Sequence, residues 1–167
     1  MMHRGFANPD AIPAALLVDT NILLLAAVHA LDPALVARFK RTANRFREED
    51  GELLRRVLVR ASHLFTTPHV LAETSNLLGQ LPGSLADRGR AWLVNAVSTI
   101  EERYVSAVSV AEQSRSVAVR LGITDAALVQ LTNDGLVLLT DDALLANAVY
   151  ATAGEVINFN HLREFDI

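Results

Sequence analysis

Ala14-Ala15-Leu16-Leu17-Val18-Asp19-Thr20-Asn21 is the stretch on which the fold turns. Its apolar part runs without alternation, the pattern of a short strand buried on both faces in the middle of a parallel sheet. An acid follows at once, at the carboxyl end of that strand. Leu136-Val137-Leu138-Leu139-Thr140-Asp141-Asp142 repeats the arrangement far down the chain: an apolar run, one threonine, then two acids. In an open parallel sheet, ligands gather beyond the carboxyl ends of strands where the winding reverses. If the two strands are neighbours, all three acids share one edge.

Working outward, residues 1–13 read as an irregular arm with Pro9 and Pro13. A helix is expected over 22–31, capped by Thr20 or Asn21. Pro33 opens further helix through 34–62, with Gly51 as the break. Residues 64–67 make a short strand. Pro68 opens a helix that runs to Leu78 and ends at Gly79, and 81–87 is turn-rich. Residues 90–102 read as an amphipathic helix, 104–110 alternate like a strand, and 111–121 are helical up to Gly122. Thr124 caps a helix to Thr132, Asn133-Asp134-Gly135 is a turn, Thr140 caps a helix to Thr152, and 156–159 form the last strand. Strands alternating with helices predict one α/β domain over 14–167: a Rossmann-like parallel sheet of about five strands, with helices on both faces.

The chain has 167 residues, 51% of them apolar, enough for a sizeable core. It has no cysteine, so disulfides and thiolate metal ligands are excluded, as suits a reducing compartment. Residues 11–31 are apolar enough to suggest a membrane span. Asp19 would lie near its middle, however, where an ionised Asp costs about 3 kcal/mol. Nor does a cleavage pattern follow, so a cytoplasmic protein is expected.

The net charge of −4 means that any contact with a polyanion must be local. Arg38, Lys40, Arg41, Arg45 and Arg47 supply the best candidate, a basic cluster suited to an RNA backbone. Its plainer alternative is a solvated helix face balanced by Glu48-Glu49-Asp50.

Four acidic positions carry the chemistry: Asp19, Glu73, Asp125 and the pair Asp141-Asp142. Each borders an apolar run, where an ionised carboxylate is costly. Gathered together, they would raise one another's pKa unless a divalent cation held them. Glu73, with Val70 and Leu77 on one helix face, is expected to point inward. Singly, the aspartates could serve as helix caps or complement a helix dipole, and Glu73 could pair with an arginine. Jointly they form a site of hard oxygen donors with no paired histidines, suited to Mg²⁺ or Mn²⁺ and not to zinc. His3, His29, His63, His69 and His161 read as surface or packing residues.

Taken as a set, Leu-Val-Asp19-Thr-Asn21, Val-Leu-Ala-Glu73, Thr-Asp125-Ala-Ala-Leu and Leu-Leu-Thr140-Asp-Asp142-Ala-Leu resemble the PIN-domain ribonucleases, which include toxins of type II toxin–antitoxin pairs. The similarity spans about 14–159. It implies a Mg²⁺- or Mn²⁺-dependent endoribonuclease in which Asp19, Glu73, Asp125 and Asp142 are the catalytic, metal-binding quartet. Asn21 and Thr140 match supporting polar positions. Asp141 stays an alternative ligand to its neighbour. The resemblance also implies an RNA substrate, a homodimer and an antitoxin protein as partner.

Two features depart from the family pattern. The interval between Asp19 and Glu73 is long and contains the basic cluster, and the overall charge is acidic. The rival readings are a PIN-fold binding or scaffold module and a haloacid-dehalogenase-like phosphatase. The phosphatase would need a general acid where Asn21 stands.

Overall fold

A computed structural model describes residues 12–165. Of the expected N-terminal arm, residues 1–11 lie outside the described residues. In chain order the elements begin with β1 (Ala15–Val18) and α1 (Thr20–Leu31), followed by a 3₁₀ turn at Pro33–Leu35. Next come α2 (Lys40–Ala43), α3 (Glu48–Arg60), β2 (His63–Thr66), α4 (Pro68–Leu78) and α5 (Ser84–Ala96). A second 3₁₀ turn at Val97–Thr99 leads to β3 (Ile100–Glu102), α6 (Ala107–Gln113), α7 (Arg115–Leu121) and α8 (Ile123–Asn133). The chain continues through β4 (Val137–Thr140), α9 (Ala143–Ala151), β5 (Glu155–Asn158) and α10 (Phe159–Phe165).

The five strands form one all-parallel sheet in the order β3-β2-β1-β4-β5. This is the expected Rossmann-like α/β architecture. β1 is central because it can be: Leu16, Leu17 and Val18 are all buried, and a strand with no polar side chain has no reason to stay at an edge. β4 is buried along its whole length beside it. Helices α3, α4 and α5 pack around α1, and α6, α7 and α9 pack around α8, forming the two helical layers. Helix α1 buries Ile22, Leu23, Leu24, Leu25, Ala27 and Val28, so it is apolar nearly all round. Its position between sheet and helices accounts for the membrane-like hydropathy of this region. No helix among the described residues is long and apolar enough to cross a membrane.

The winding reverses at β1. One arm of the sheet proceeds through β2 to β3, and the other through β4 to β5. Val18 pairs with Leu139, so Asp19 and Thr140 leave the sheet side by side. Neighbouring strands thus place the acids of both opening motifs at one edge, as their spacing implied.

Several local expectations are corrected. Asp19 caps α1, in place of Thr20 or Asn21, and Asp142 caps α9, in place of Thr140. Gly122 stands at the N-cap of α8, with Thr124 already inside the helix. Gly51 does not break the charged stretch but lies inside α3, where a Cβ would overlap the His29 ring. The breaks fall elsewhere, between Leu35 and Lys40 and between Ala43 and Glu48.

Residues 104–110 are not a strand. The edge strand is Ile100–Glu102, within the span read as amphipathic helix, and Ser106 caps α6 by accepting the Ser109 N–H at 3.1 Å. Val105 and Val110 are both buried, but from a loop and a helix. The helix expected over 111–121 instead starts at Ala107 and is interrupted at Ser114. The turn-rich stretch 81–87 gives way at Ser84 to α5, which follows Gly83 with φ of 57°.

Candidate functional site

The site is built outward from Asp19. Its Oδ1 accepts the Ile22 N–H at 2.8 Å, which caps α1 and fixes the carboxylate above the end of β1. Its Oδ2 accepts the Thr140 hydroxyl from the adjacent strand. Thr140 Oγ1 in turn accepts the Asp142 N–H at 3.0 Å, so one buried hydroxyl ties the ends of β1 and β4 together. Burial pushes the Asp19 carboxyl up to about 7, the charge of Asp141 adds to this, and Asp125 contributes less; the donors from Thr140 and Ile22 act in the opposite sense.

Asp141 and Asp142 are adjacent in sequence but do different things. Asp141 is buried; its Oδ1 accepts Asn21 Nδ2 at 3.0 Å, and its Oδ2 meets Arg45 Nη1 at 2.9 Å. Its carbonyl accepts Asn160 Nδ2 at 2.7 Å. Asp142 is half-buried and uses Oδ1 to accept the N–H groups of Leu144 and Leu145 at the start of α9. The capping role is therefore real, and it orients the carboxylate without using both of its oxygens in these bonds.

Asp125 lies in the first turn of α8, half-buried. Desolvation pushes its carboxyl up to about 6, helped by the charges of Asp142 and then Glu73. Glu73 corrects an expectation. It is exposed, while Val70, Thr74 and Leu78 take the inner face of α4. Its Oε2 accepts the Thr20 hydroxyl at 3.0 Å, so it stands at the rim beside the start of α1 and is held by that hydroxyl, not by an arginine among the described residues.

All five predicted acids are thus brought to one edge and act on one another electrostatically. As they stand, no group of three or more His, Asp or Glu side chains among the described residues is arranged so that it could hold a metal ion. The carboxylates are instead engaged by protein donors. The donor chemistry nevertheless suits a hard cation, because every acceptor here is oxygen and two of the carboxyls resist ionisation. A divalent charge would offset that resistance.

The basic cluster divides. Lys40, Arg41 and Arg45 line a cleft of about 290 Å³ with Asn21, Asn44 and Glu73, so this part of the cluster adjoins the acids. Arg41 Nε also donates to Gln80 Oε1 at 2.8 Å. Arg38 instead pairs with Asp32 at 3.0 Å, and Arg47 lies 3.9 Å from Glu49; both are exposed pairs.

Three residues were not anticipated. Arg163 grips the buried Asp50 at 2.8 and 2.9 Å and donates to Asn160 Oδ1 at 2.9 Å. Asp50 therefore belongs to an internal network and not to a solvated acidic run. No sequence signal could have found these contacts, because Asp50 and Arg163 are 113 positions apart and each sits in an ordinary charged stretch. Among the histidines, His63 stands 3.2 Å from Glu101 and His29 lies against Gly51, both apart from the acids; His3 lies outside the described residues.

Comparison of the chain with protein-family models and with curated proteins finds no match in either case.

Proposed function

We propose that this chain is a Mg²⁺- or Mn²⁺-dependent endoribonuclease. The observation that carries the proposal is the convergence of Asp19, Asp125, Asp142 and Glu73 from four separate elements on the switch point of a parallel sheet. The likeness of their motifs to the PIN-domain ribonucleases supports it. On that likeness the substrate is RNA, and a second copy of the chain and an antitoxin protein are the expected partners; the compartment proposed, from the sequence itself, is cytoplasmic.

Asp19, Asp125 and Asp142 would hold the cation, with Glu73 closing the site from the rim. When bound, the cation lowers the pKa of a water and stabilises charge on the scissile phosphate and the leaving oxygen. The protein's part is orientation. Ile22 N–H and Thr140 keep Asp19 from rotating, and the N-terminus of α9 fixes Asp142. In-line attack of water on phosphorus, with cleavage of the P–O3′ bond, leaves a 5′-phosphate and a 3′-hydroxyl.

The test is cleavage of single-stranded RNA with and without Mn²⁺, together with calorimetric Mn²⁺ titration of wild-type and Asp19→Asn protein. Metal-dependent cleavage with 5′-phosphate ends, lost in the variant along with Mn²⁺ binding, is the expected result. Mn²⁺ binding that survives Asp19→Asn would sink the proposal. A binding module of the same fold is the second reading, favoured by the carboxylates being already engaged by protein donors. It predicts RNA or protein binding with no cleavage under any metal.

A further inference from the structure

The acidic edge has a cation of its own. Arg45 follows α2 and meets Asp141 Oδ2 at 2.9 Å, with the aspartate side chain only 5% exposed and the arginine side chain 43% exposed. One Nη donor is thus engaged by a buried carboxylate, while much of the guanidinium stays open to the cleft that Arg45 lines. A guanidinium carries five donors in a rigid fork, a geometry that matches phosphate oxygens.

The pair is braced from behind. The Arg45 carbonyl accepts Arg163 Nη1 at 3.2 Å, Arg163 also donates to Asn160 Oδ1, and Asn160 donates to the Asp141 carbonyl at 2.7 Å. Phe46 is buried edge-on against Phe159, with ring centroids 6.2 Å apart. Both members of the pair are thereby fixed to one framework joining the end of β4, α10 and the segment before α3. Such bracing is more than a surface charge needs. The cleft beyond Arg45 is lined by further donors, Lys40, Arg41 and Asn44, and Glu73 lines it too.

We infer that Arg45 is a phosphate anchor for single-stranded polynucleotide, seating a phosphodiester that flanks the one to be cut. Asp141 is its positioning residue and not a metal ligand. The place of this phosphate beside the scissile one rests on the proposed nuclease function, but the anchor itself needs no cleavage. The assignment separates the two adjacent acids: Asp141 aims the arginine, which leaves Asp142 for the metal. A polyanion approaching five carboxylates meets repulsion, and a guanidinium fixed among them offers it a binding point that a mobile lysine would not.

The experiment measures binding of a labelled single-stranded RNA by fluorescence anisotropy across a salt titration, in EDTA and again in Ca²⁺. It compares the full chain with Arg45→Met, Arg45→Lys, Asp141→Asn and the double variant Arg45→Met/Asp141→Asn, and titrates each protein with Mn²⁺ alongside Asp19→Asn and Asp142→Asn. Arg45→Met should weaken RNA binding about tenfold, the loss of one charged hydrogen-bonded contact. It should also lower the salt slope by about 0.7, one phosphate on a single strand.

Arg45→Lys should keep the slope and recover part of the affinity. Asp141→Asn should weaken RNA binding on its own but add nothing in the Arg45→Met background, because it acts through Arg45. It should also reduce Mn²⁺ affinity far less than Asp19→Asn or Asp142→Asn does. If Arg45→Met fails to fold with Asp141 left unpaired, the double variant removes both charges and is compared with Asp141→Asn alone.

Wild-type affinity and slope in Arg45→Met would make the pair a structural strut and overturn the inference. So would loss of Mn²⁺ binding in Asp141→Asn equal to that in Asp19→Asn, or failure of the wild type to bind RNA. If wild type binds RNA but not Mn²⁺, the nuclease proposal falls and the oligonucleotide results still decide the anchor.

Discussion

Asp19 shows how a single side chain serves fold and site at once. As the cap of α1 it satisfies a backbone donor that would otherwise be orphaned at a buried helix start, a contribution of about 1 kcal/mol. As a carboxylate above two buried strands it is held in a place where charge is unwelcome, and its pKa rises to about 7 from 3.8. The sign of the linkage follows. A carboxyl with a raised native pKa contributes most stability when protonated, below its unfolded value, and loses that contribution as pH rises through the native one. In EDTA the protein should therefore lose thermal stability as pH rises from about 4 toward about 7, and saturating Mg²⁺ should remove most of that loss. A melting series that is flat over this range in EDTA would contradict it. Asp125, raised to about 6 by burial and by Asp142 and Glu73, gives the companion prediction. Asp125→Asn should melt no lower than wild type in EDTA, yet lose most of the stabilisation by Mg²⁺. A variant several degrees less stable in EDTA that still responds fully to Mg²⁺ would show Asp125 to be structural.

Among the elements, the long interval between Asp19 and Glu73 is the least regular in pattern: its charged residues cover a 3₁₀ turn, the short α2, the 13-residue α3 and one partner of an internal ion pair. Gly51 is instructive. Glycine inside a helix ordinarily costs about 0.5–1 kcal/mol relative to alanine, so a sequence reader takes it for a break. Here α3 lies so close to α1 that a Cβ at position 51 would overlap the His29 ring and stand 2.7 Å from the His29 Cβ. Steric overlap should outweigh the helix-propensity gain, so Gly51→Ala should destabilise by about 1–3 kcal/mol in urea unfolding. A stabilised variant would mean that α1 and α3 are less closely seated than the structure has them. The stretch 104–110 misled for the opposite reason. Its alternation was real, but Ser106 offered the backbone a helix cap, and a local cap competes directly with strand pairing.

For the whole molecule, the proposed action on RNA requires an acidic protein to concentrate its positive charge on one side. The structure divides the basic cluster into a cleft-lining part and a solvated part, and the two should behave differently. Lys40→Ser with Arg41→Ser should flatten the salt dependence of RNA binding and raise KM more than it lowers kcat. Arg38→Ser with Arg47→Ser should change neither, since their exposed ion pairs contribute little even to stability. Equal flattening by both pairs would mean that the RNA contacts the whole segment and not the cleft alone. The parallel sheet and its central strand were legible in Ala14–Val18 and Leu136–Leu139, because a continuous apolar strand can be buried only in the middle of a covered sheet. The acids that follow those strands were legible for the same reason: strand order fixes their edge. What the linear chain could not express was partnership. Arg45 with Asp141, and Asp50 with Arg163, are 96 and 113 positions apart. Which carboxylate is spoken for, and which stays free for a cation, depends on long side chains reaching across elements. No periodicity encodes that reach, and only the packed tertiary structure decides it.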